Sequence, residues 1–157
     1  MQADILNIFI DSVINTLKTM CNIIPKRNSL ALKKANGVSK GDISGVIGLV
    51  GDLSGLIGIT FPEKLAFVIV NRMIGEEIDA INSTVEDAIG EIINIIAGNA
   101  KSNLKEKNYD LNMSLPSVIV GEDHSITSPV AIPSFLIGFE AENFSFWLEV
   151  CLKTENN

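Results

Sequence analysis

Histidine and cysteine are scarce in this sequence. Among 157 residues there are one histidine and two cysteines, Cys21 and Cys151, which lie far apart in the chain. No CxxC pair occurs, so a thiolate metal site is not expected. A single histidine, His124, in a predicted loop makes a Ser-His-Asp arrangement unconvincing. We therefore expect two buried free thiols, a solvated histidine and no metal site.

Basic residues are also in short supply. Twelve lysines and arginines face 19 acidic residues, which gives a formal net charge of −7. A nucleic-acid interface needs clustered Lys and Arg to neutralise phosphates, and the one basic run, at residues 26–27 and 33–34, is too short for that. This composition favours a protein partner over nucleic acid or an anionic membrane.

Long apolar runs are absent as well. No stretch of about 18 apolar residues occurs, so no membrane span is expected. The first residues lack a basic start, and Asp4, Asp11 and Lys18 interrupt the apolar positions that follow, so no signal peptide is expected and a cytoplasmic location is predicted. The hydrophobic fraction, 46%, is enough for a sizeable core. The length suits one domain spanning residues 1–157.

Hydrophobic periodicity predicts the elements of the first half. Apolar residues recur at helical spacing over residues 4–24, up to Pro25, and an extended stretch follows near 30–34. Residues 43–61 read as a hairpin that turns at Gly51-Asp52. Pro62 is predicted to take the first position of a short helix that Gly75 ends.

The second half repeats this scheme. A long helix is predicted from Ser83 to about Lys105, opened by a capping box between Ser83 and Glu86. A strand at 111–120, a loop at 121–129 and a hairpin of 134–139 with 144–152 complete the chain. These elements predict an α+β fold with two pseudo-duplicated halves. They would share one largely antiparallel mixed sheet of about six strands, with helices packed on a face.

The long helix has two faces of different character. On a helical wheel of about 100° per residue, an apolar stripe faces the core, and a row of residues spaced by three or four lies opposite. The apolar stripe consists of Ile89, Ile92, Ile93, Ile96, Ala100 and Leu104, and the row consists of Asp87, Glu91, Asn94, Gly98 and Lys101.

The row is unusual for a face that only meets water. Glycine costs about 1 kcal/mol relative to alanine inside a helix, yet Gly90 and Gly98 both occur here. Their missing side chains are predicted to leave the backbone accessible to an incoming surface, with Ile95 beside them as a docking residue. The alternative is that Glu91 and Asn94 are merely solvated and that Ile95 packs under a loop.

Residues 87–99, with Glu91 and Asn94 three apart and Gly98 after them, closely resemble the active-site helix of the CheC/CheX/FliY family of chemotaxis phosphatases. The hairpin at 41–62 is similar to that family's first hairpin. CheC-like members carry a second Glu/Asn pair on the first helix, where this sequence has Asn15 and Lys18. The resemblance is therefore to CheX-like members, with one site per chain.

The resemblance implies a phosphatase that acts on an aspartyl phosphate of a CheY-like response regulator. Asn94 would orient the attacking water, and Glu91 would pair with the regulator's active-site lysine. Asp87, Ile95 and Gly98 would contact the partner. It further implies no cofactor of its own, since Mg²⁺ would come with the regulator, and a homodimer. The alternative that stays open is a non-catalytic CheC/FliM-like module that binds a response regulator or a flagellar switch component.

Overall fold

The computed structural model describes residues 3–32, 40–126 and 132–155, and they form three helices and seven strands. The elements in chain order are α1 (Ala3–Cys21), β1 (Lys26–Leu32), β2 (Gly41–Gly51), β3 (Leu53–Phe61), α2 (Glu63–Ile74), α3 (Ser83–Lys105), β4 (Leu111–Met113), β5 (Ser117–His124), β6 (Ser134–Ala141) and β7 (Phe144–Thr154). The predicted α+β class is confirmed, with seven strands where about six were expected.

All seven strands belong to one sheet, and each pairing between them is antiparallel. The order is β1-β6-β7-β3-β2, and both β4 and β5 pair with the far edge of β2. The strand expected at 111–120 is thus two short strands, and the second extends to His124. The loop expected at 121–129 therefore begins later, and residues 127–131 of it lie outside the described residues.

The sheet order shows a pseudo-twofold relation between the two halves. The hairpin β2–β3 of the first half and the hairpin β6–β7 of the second lie side by side through β3 and β7. The single strand of each half pairs with the hairpin of the other half: β1 joins β6, and β5 joins β2. The duplicated scheme predicted from the sequence is therefore a feature of the sheet itself.

Alternation along the strands buries one face of the sheet under the helices. In β2, Ile43, Ile47 and Leu49 are almost fully buried, as expected where every second side chain points to the core. Gly45 lies in the same row, and a Cβ there would come 2.9 Å from Ile93 Cγ2. The missing side chain at Gly45 therefore lets α3 approach the sheet closely.

Helix α3 has the core face that its periodicity predicted. Its stripe is fully buried, with zero exposure at each of these positions: Val85, Ile89, Ile92, Ile93, Ile96, Ala100 and Leu104. Burying one such isoleucine side chain contributes roughly 1.5–3 kcal/mol relative to leaving it in water. Burial of this stripe thus sets the orientation of α3, and the face of the helix opposite the stripe points away from the core.

The predicted bounds of α3, Ser83 to about Lys105, are confirmed, but its predicted cap and two boundaries of the other helices are wrong. The N-cap of α3 is Asn82, whose Oδ1 accepts a hydrogen bond from the Val85 N–H at 3.1 Å, so the expected capping box at Ser83 does not form. Asparagine ranks among the best N-cap residues, which explains why it takes this role. Pro62 is the N-cap of α2 instead of its first residue, and α1 ends at Cys21. Gly75 ends α2 in a left-handed conformation, as predicted.

His124 is also placed differently from the expectation of a solvated side chain. It is half-buried, and its Nε2 lies 2.7 Å from Ser44 Oγ, while Nδ1 lies 2.6 Å from the Gly121 carbonyl oxygen. Ser44 Oγ is in turn 2.7 Å from Thr60 Oγ1. Because Ser44 has no exposed surface, this chain of hydrogen bonds joins β5, β2 and β3 and offers no accessible nucleophile.

Candidate functional site: the outer face of helix α3

Helix α3 is held in place from three sides. On the α1 side, the buried Ser12 hydroxyl donates to the Ile96 carbonyl oxygen at 2.6 Å. Asn99 Nδ2 donates to Thr16 Oγ1 at 3.4 Å on the same side. The core side of α3 packs on the sheet, and the side of α3 opposite α1 contacts β4 and β5 at the sheet edge. Only the outer face of α3 is left open for another molecule.

The row predicted from the wheel lies on this outer face. Asp87 and Glu91 are exposed, and Asn94, Gly98 and Lys101 are half-buried. Residues three and four apart on a helix are surface neighbours, so Glu91 and Asn94 present a carboxylate and an amide side by side. Among the described residues, neither side chain has a hydrogen-bond or ion-pair partner. Both groups are thus available to an external partner.

The two glycines of α3 have different surroundings. A Cβ on Gly98 would have nothing within 4 Å, so the helix is open there, as predicted. Gly90 is buried, and a Cβ there would be 3.4 Å from Val118 Cγ2 of β5. The prediction that Gly90 exposes backbone to a partner is therefore wrong, because its face packs on the sheet edge. Ile95 is half-buried and adjoins the row on the α1 side.

The charge around the row is mainly negative. Glu86, Asp87 and Glu91 lie on the first half of α3, and Lys101 is the cation of the row. Near the start of α3 is a cavity of about 280 Å³, lined by Asp42, Glu63, Ile81, Val120 and Glu122. The Asp42 carboxylate in it already accepts hydrogen bonds from the backbone N–H groups of Glu63 and Asp123, at 2.7 and 3.0 Å. The Asp42 side chain therefore links the end of β5 to the start of α2.

Three other features of the described residues bear on function. Within residues 3–32, 40–126 and 132–155, no group of three or more His, Cys, Asp or Glu side chains is arranged to hold a metal ion. None of the helices in these ranges has the length and apolar character needed to cross a membrane. A larger groove of about 610 Å³ lies along α2, between Phe67 and Arg72, and does not include the row.

Comparisons with known proteins identify the family and the fold. Residues 43–140 match the family described as Chemotaxis phosphatase CheX. The chain is 30% identical over 152 residues to the CheY-P phosphatase CheX of Thermotoga maritima, covering 96% of this chain and 97% of that protein. A CheC-like superfamily protein from Shewanella sp. PV-4 superposes with a TM-score of 0.92 at 38% identity, covering 98% and 99% of the two chains.

A second structure shares the fold at lower identity. It is the CheX-CheY-BeF3-Mg²⁺ complex from Borrelia burgdorferi, with a TM-score of 0.82 and 21% identity over 97% of this chain and 99% of that one. The match to the family and the full-length similarity to a CheX protein define the class. This chain belongs to the chemotaxis phosphatase CheX family, which confirms the resemblance identified from residues 87–99.

Proposed function

We propose that this protein hydrolyses the aspartyl phosphate of a CheY-like response regulator, using the outer face of α3, and that residues 1–157 act as one phosphatase domain in the cytoplasm. The observation that carries the proposal is the unpartnered pair of Glu91 and Asn94 on an otherwise anchored helix. The similarity to a CheY-P phosphatase supports the same reaction class.

Asn94 is the catalytic residue in this proposal. Its amide oxygen accepts a hydrogen bond from the attacking water, and its amide nitrogen can donate to a phosphoryl oxygen. The water oxygen bonds to phosphorus, the bond between phosphorus and the aspartyl oxygen breaks, and the carboxylate leaves with the electron pair. The water proton passes to phosphate or solvent. Little covalent work is left to the phosphatase, so orienting the water supplies its main contribution.

Glu91 anchors the helix to the regulator. Its exposed carboxylate would pair with the active-site lysine of the regulator, one helical turn before Asn94. Asp87 and Ile95 would extend the contact on either side, and the open backbone at Gly98 would permit close approach. The phosphatase would need no cofactor of its own, because Mg²⁺ enters with the regulator; the Borrelia burgdorferi complex contains Mg²⁺ together with CheX and CheY.

The homodimer that the resemblance implied has a suitable surface at the opposite edge of the sheet. All seven residues of β1 are exposed, and within residues 3–32, 40–126 and 132–155 its one strand partner is β6. Leu30 and Leu32 retain 44% and 58% of their surface. We propose that two copies associate along this edge, since a free strand edge with apolar side chains readily pairs with another chain. Leu32→Glu is expected to shift the sedimentation coefficient to that of a monomer.

The decisive experiment follows phosphate loss from a phosphorylated CheY-like regulator with wild-type protein and two asparagine variants. Asn94→Ala should lose stimulated hydrolysis by about 100-fold, the scale of a lost transition-state contact. Asn103→Ala is the matched control, because Asn103 is an exposed asparagine of α3 off the row. Binding of the regulator without faster hydrolysis by the wild type would instead show a non-catalytic interaction module. Unchanged hydrolysis by Asn94→Ala would refute the role of Asn94.

A further inference from the structure

The short connection between β4 and β5 displays a leucine to solvent. Leu115 keeps 89% of its surface exposed, more than any other large apolar residue among those described. Single exposed apolar residues are common on proteins and need no explanation by themselves. The surroundings of Leu115 set it apart, because they fix its position and place it next to the α3 row.

The connection is held rigidly to β2. The Ser114 N–H donates to the Gly48 carbonyl oxygen at 2.9 Å, and the Gly48 N–H donates to Ser114 Oγ at 2.8 Å. Ser114 Oγ also donates to the Leu115 carbonyl oxygen at 3.0 Å. Pro116 then restricts the backbone on the other side of Leu115. A partner that contacts Leu115 would lose little binding free energy in ordering this segment.

The row on α3 runs beside this connection. Both β4 and β5 contact α3, and Val118 packs at the position of Gly90. Asn94 lies one turn after Gly90, about 6 Å along the helix. Leu115 precedes Val118 by three residues, a span of at most about 10 Å. The pairing of β4 and β5 with β2 places Leu115 at the sheet edge that flanks α3, level with the turn of the helix that follows Gly90.

The edge around Leu115 differs in charge from the rest of the protein. Residues 111–121 contain no charged side chain, although the chain has a net charge of −7. The row itself carries the carboxylates of Asp87 and Glu91. A partner that covers the row and the edge around Leu115 would meet charged side chains on the helix and uncharged, partly apolar side chains on the strands. Apolar contacts that border a polar site are also those that exclude water from it.

We propose that Leu115 is a docking anchor for the response regulator, contacting an apolar patch next to the regulator's aspartyl phosphate. This inference rests on the proposed function, and the regulator is the chosen occupant because Leu115 is continuous with the row that would engage it. Leu115 provides affinity, whereas Asn94 provides the chemistry. Removing Leu115 should therefore change KM and binding, and leave kcat intact.

The test uses Leu115→Ser, with Val50→Ser as the matched control. Val50 is 60% exposed on β2, the strand next to this edge, but it alternates with the buried Leu49 and so lies on the face away from α3. For Leu115→Ser we expect KM for the phosphorylated regulator to rise about tenfold with kcat within twofold of wild type. The Kd for the regulator loaded with BeF3 and Mg²⁺ should rise in parallel. Val50→Ser should change neither quantity.

The outcomes separate this inference from the proposed function. Wild-type KM and Kd in Leu115→Ser, together with an active wild-type protein, overturn the docking role and leave the phosphatase assignment standing. A change in sedimentation coefficient for Leu115→Ser would show that a second copy of the chain occupies this edge, and would also overturn it. A wild-type protein that neither binds nor dephosphorylates any CheY-like regulator overturns both.

Discussion

Gly98 affects both the stability of α3 and the proposed approach of a partner to its outer face. Replacing Gly98 with alanine should raise the stability and lower the activity. The residue lies inside the helix, with room for a Cβ because nothing lies within 4 Å. Glycine in a helix interior costs about 1 kcal/mol relative to alanine, through backbone entropy in the unfolded chain. Gly98→Ala should therefore raise the free energy of unfolding by up to about 1 kcal/mol. For a chain of this size that corresponds to a rise in Tm of about 2–4 °C.

The same methyl group would occupy the space that a partner needs. If the regulator approaches the backbone between Asn94 and Lys101, the added Cβ must be accommodated in a closely packed interface. Such overpacking typically costs about 1–3 kcal/mol, so kcat/KM should fall by roughly fivefold to a hundredfold. Gly90→Ala is the control, because its Cβ would face Val118 at 3.4 Å instead of the partner. That variant should keep wild-type kcat/KM.

Thermal unfolding and the dephosphorylation assay, run on both variants, check this reasoning. A lower Tm for Gly98→Ala would show that the helix is not open at this position. A higher Tm with full kcat/KM would show that the partner does not approach Gly98. A loss of kcat/KM in Gly90→Ala would mean that the spacing between α3 and β5 controls catalysis, and the contrast between the two glycines would fail.

Three further predictions concern stability. Asn82→Ala should lower the urea midpoint by an amount equivalent to about 1 kcal/mol, because it removes the α3 cap, whereas Ser83→Ala should have little effect; equal losses would restore the capping box at Ser83. Ser12→Ala should cost about 0.5–1.5 kcal/mol, since the hydroxyl's bond to the Ile96 carbonyl is lost, and an unchanged urea midpoint would contradict that. Burial, opposed by nearby Arg72, raises the pKa of the Cys21 thiol to about 11 from the ordinary 9.0, so the folded protein keeps this proton between about pH 9 and 11 while the unfolded chain loses it. Stability should therefore fall as the pH rises through that window, and Cys21→Ala should show a shallower fall in the same pH-dependent urea titration.

The sequence was most informative where periodicity and turn chemistry agreed. The buried stripe of α3, the turn at Gly51-Asp52 and the end of α2 at Gly75 were all predicted, because each depends on a few neighbouring residues. The row containing Glu91 and Asn94 followed from the same periodicity, since a buried stripe on one side of a helix fixes what lies on the other. Its assignment to catalysis came from the family resemblance and remains a proposal.

Features that depend on distant residues were missed. The sequence predicts an open backbone at Gly90 because no neighbouring residue indicates that Val118, 28 residues later, packs against it. The bonding of His124 to Ser44 joins positions 80 apart, and it arises only when β5 pairs with β2. The break at Ser114 within the predicted strand has the same origin, because the bonds between Ser114 and Gly48 depend on the pairing of β2 with β4.

The exchange of single strands between the two halves makes them dependent on each other for folding. Residues up to the α2–α3 linker contain β1 but lack β6, its pairing partner, and the remainder contains β5 but lacks β2. Each fragment alone would leave both a hairpin edge and a lone strand without backbone partners. Two polypeptides divided in that linker are thus expected to be unfolded separately and to regain the native sheet on mixing, as a split protein reassembled by complementation.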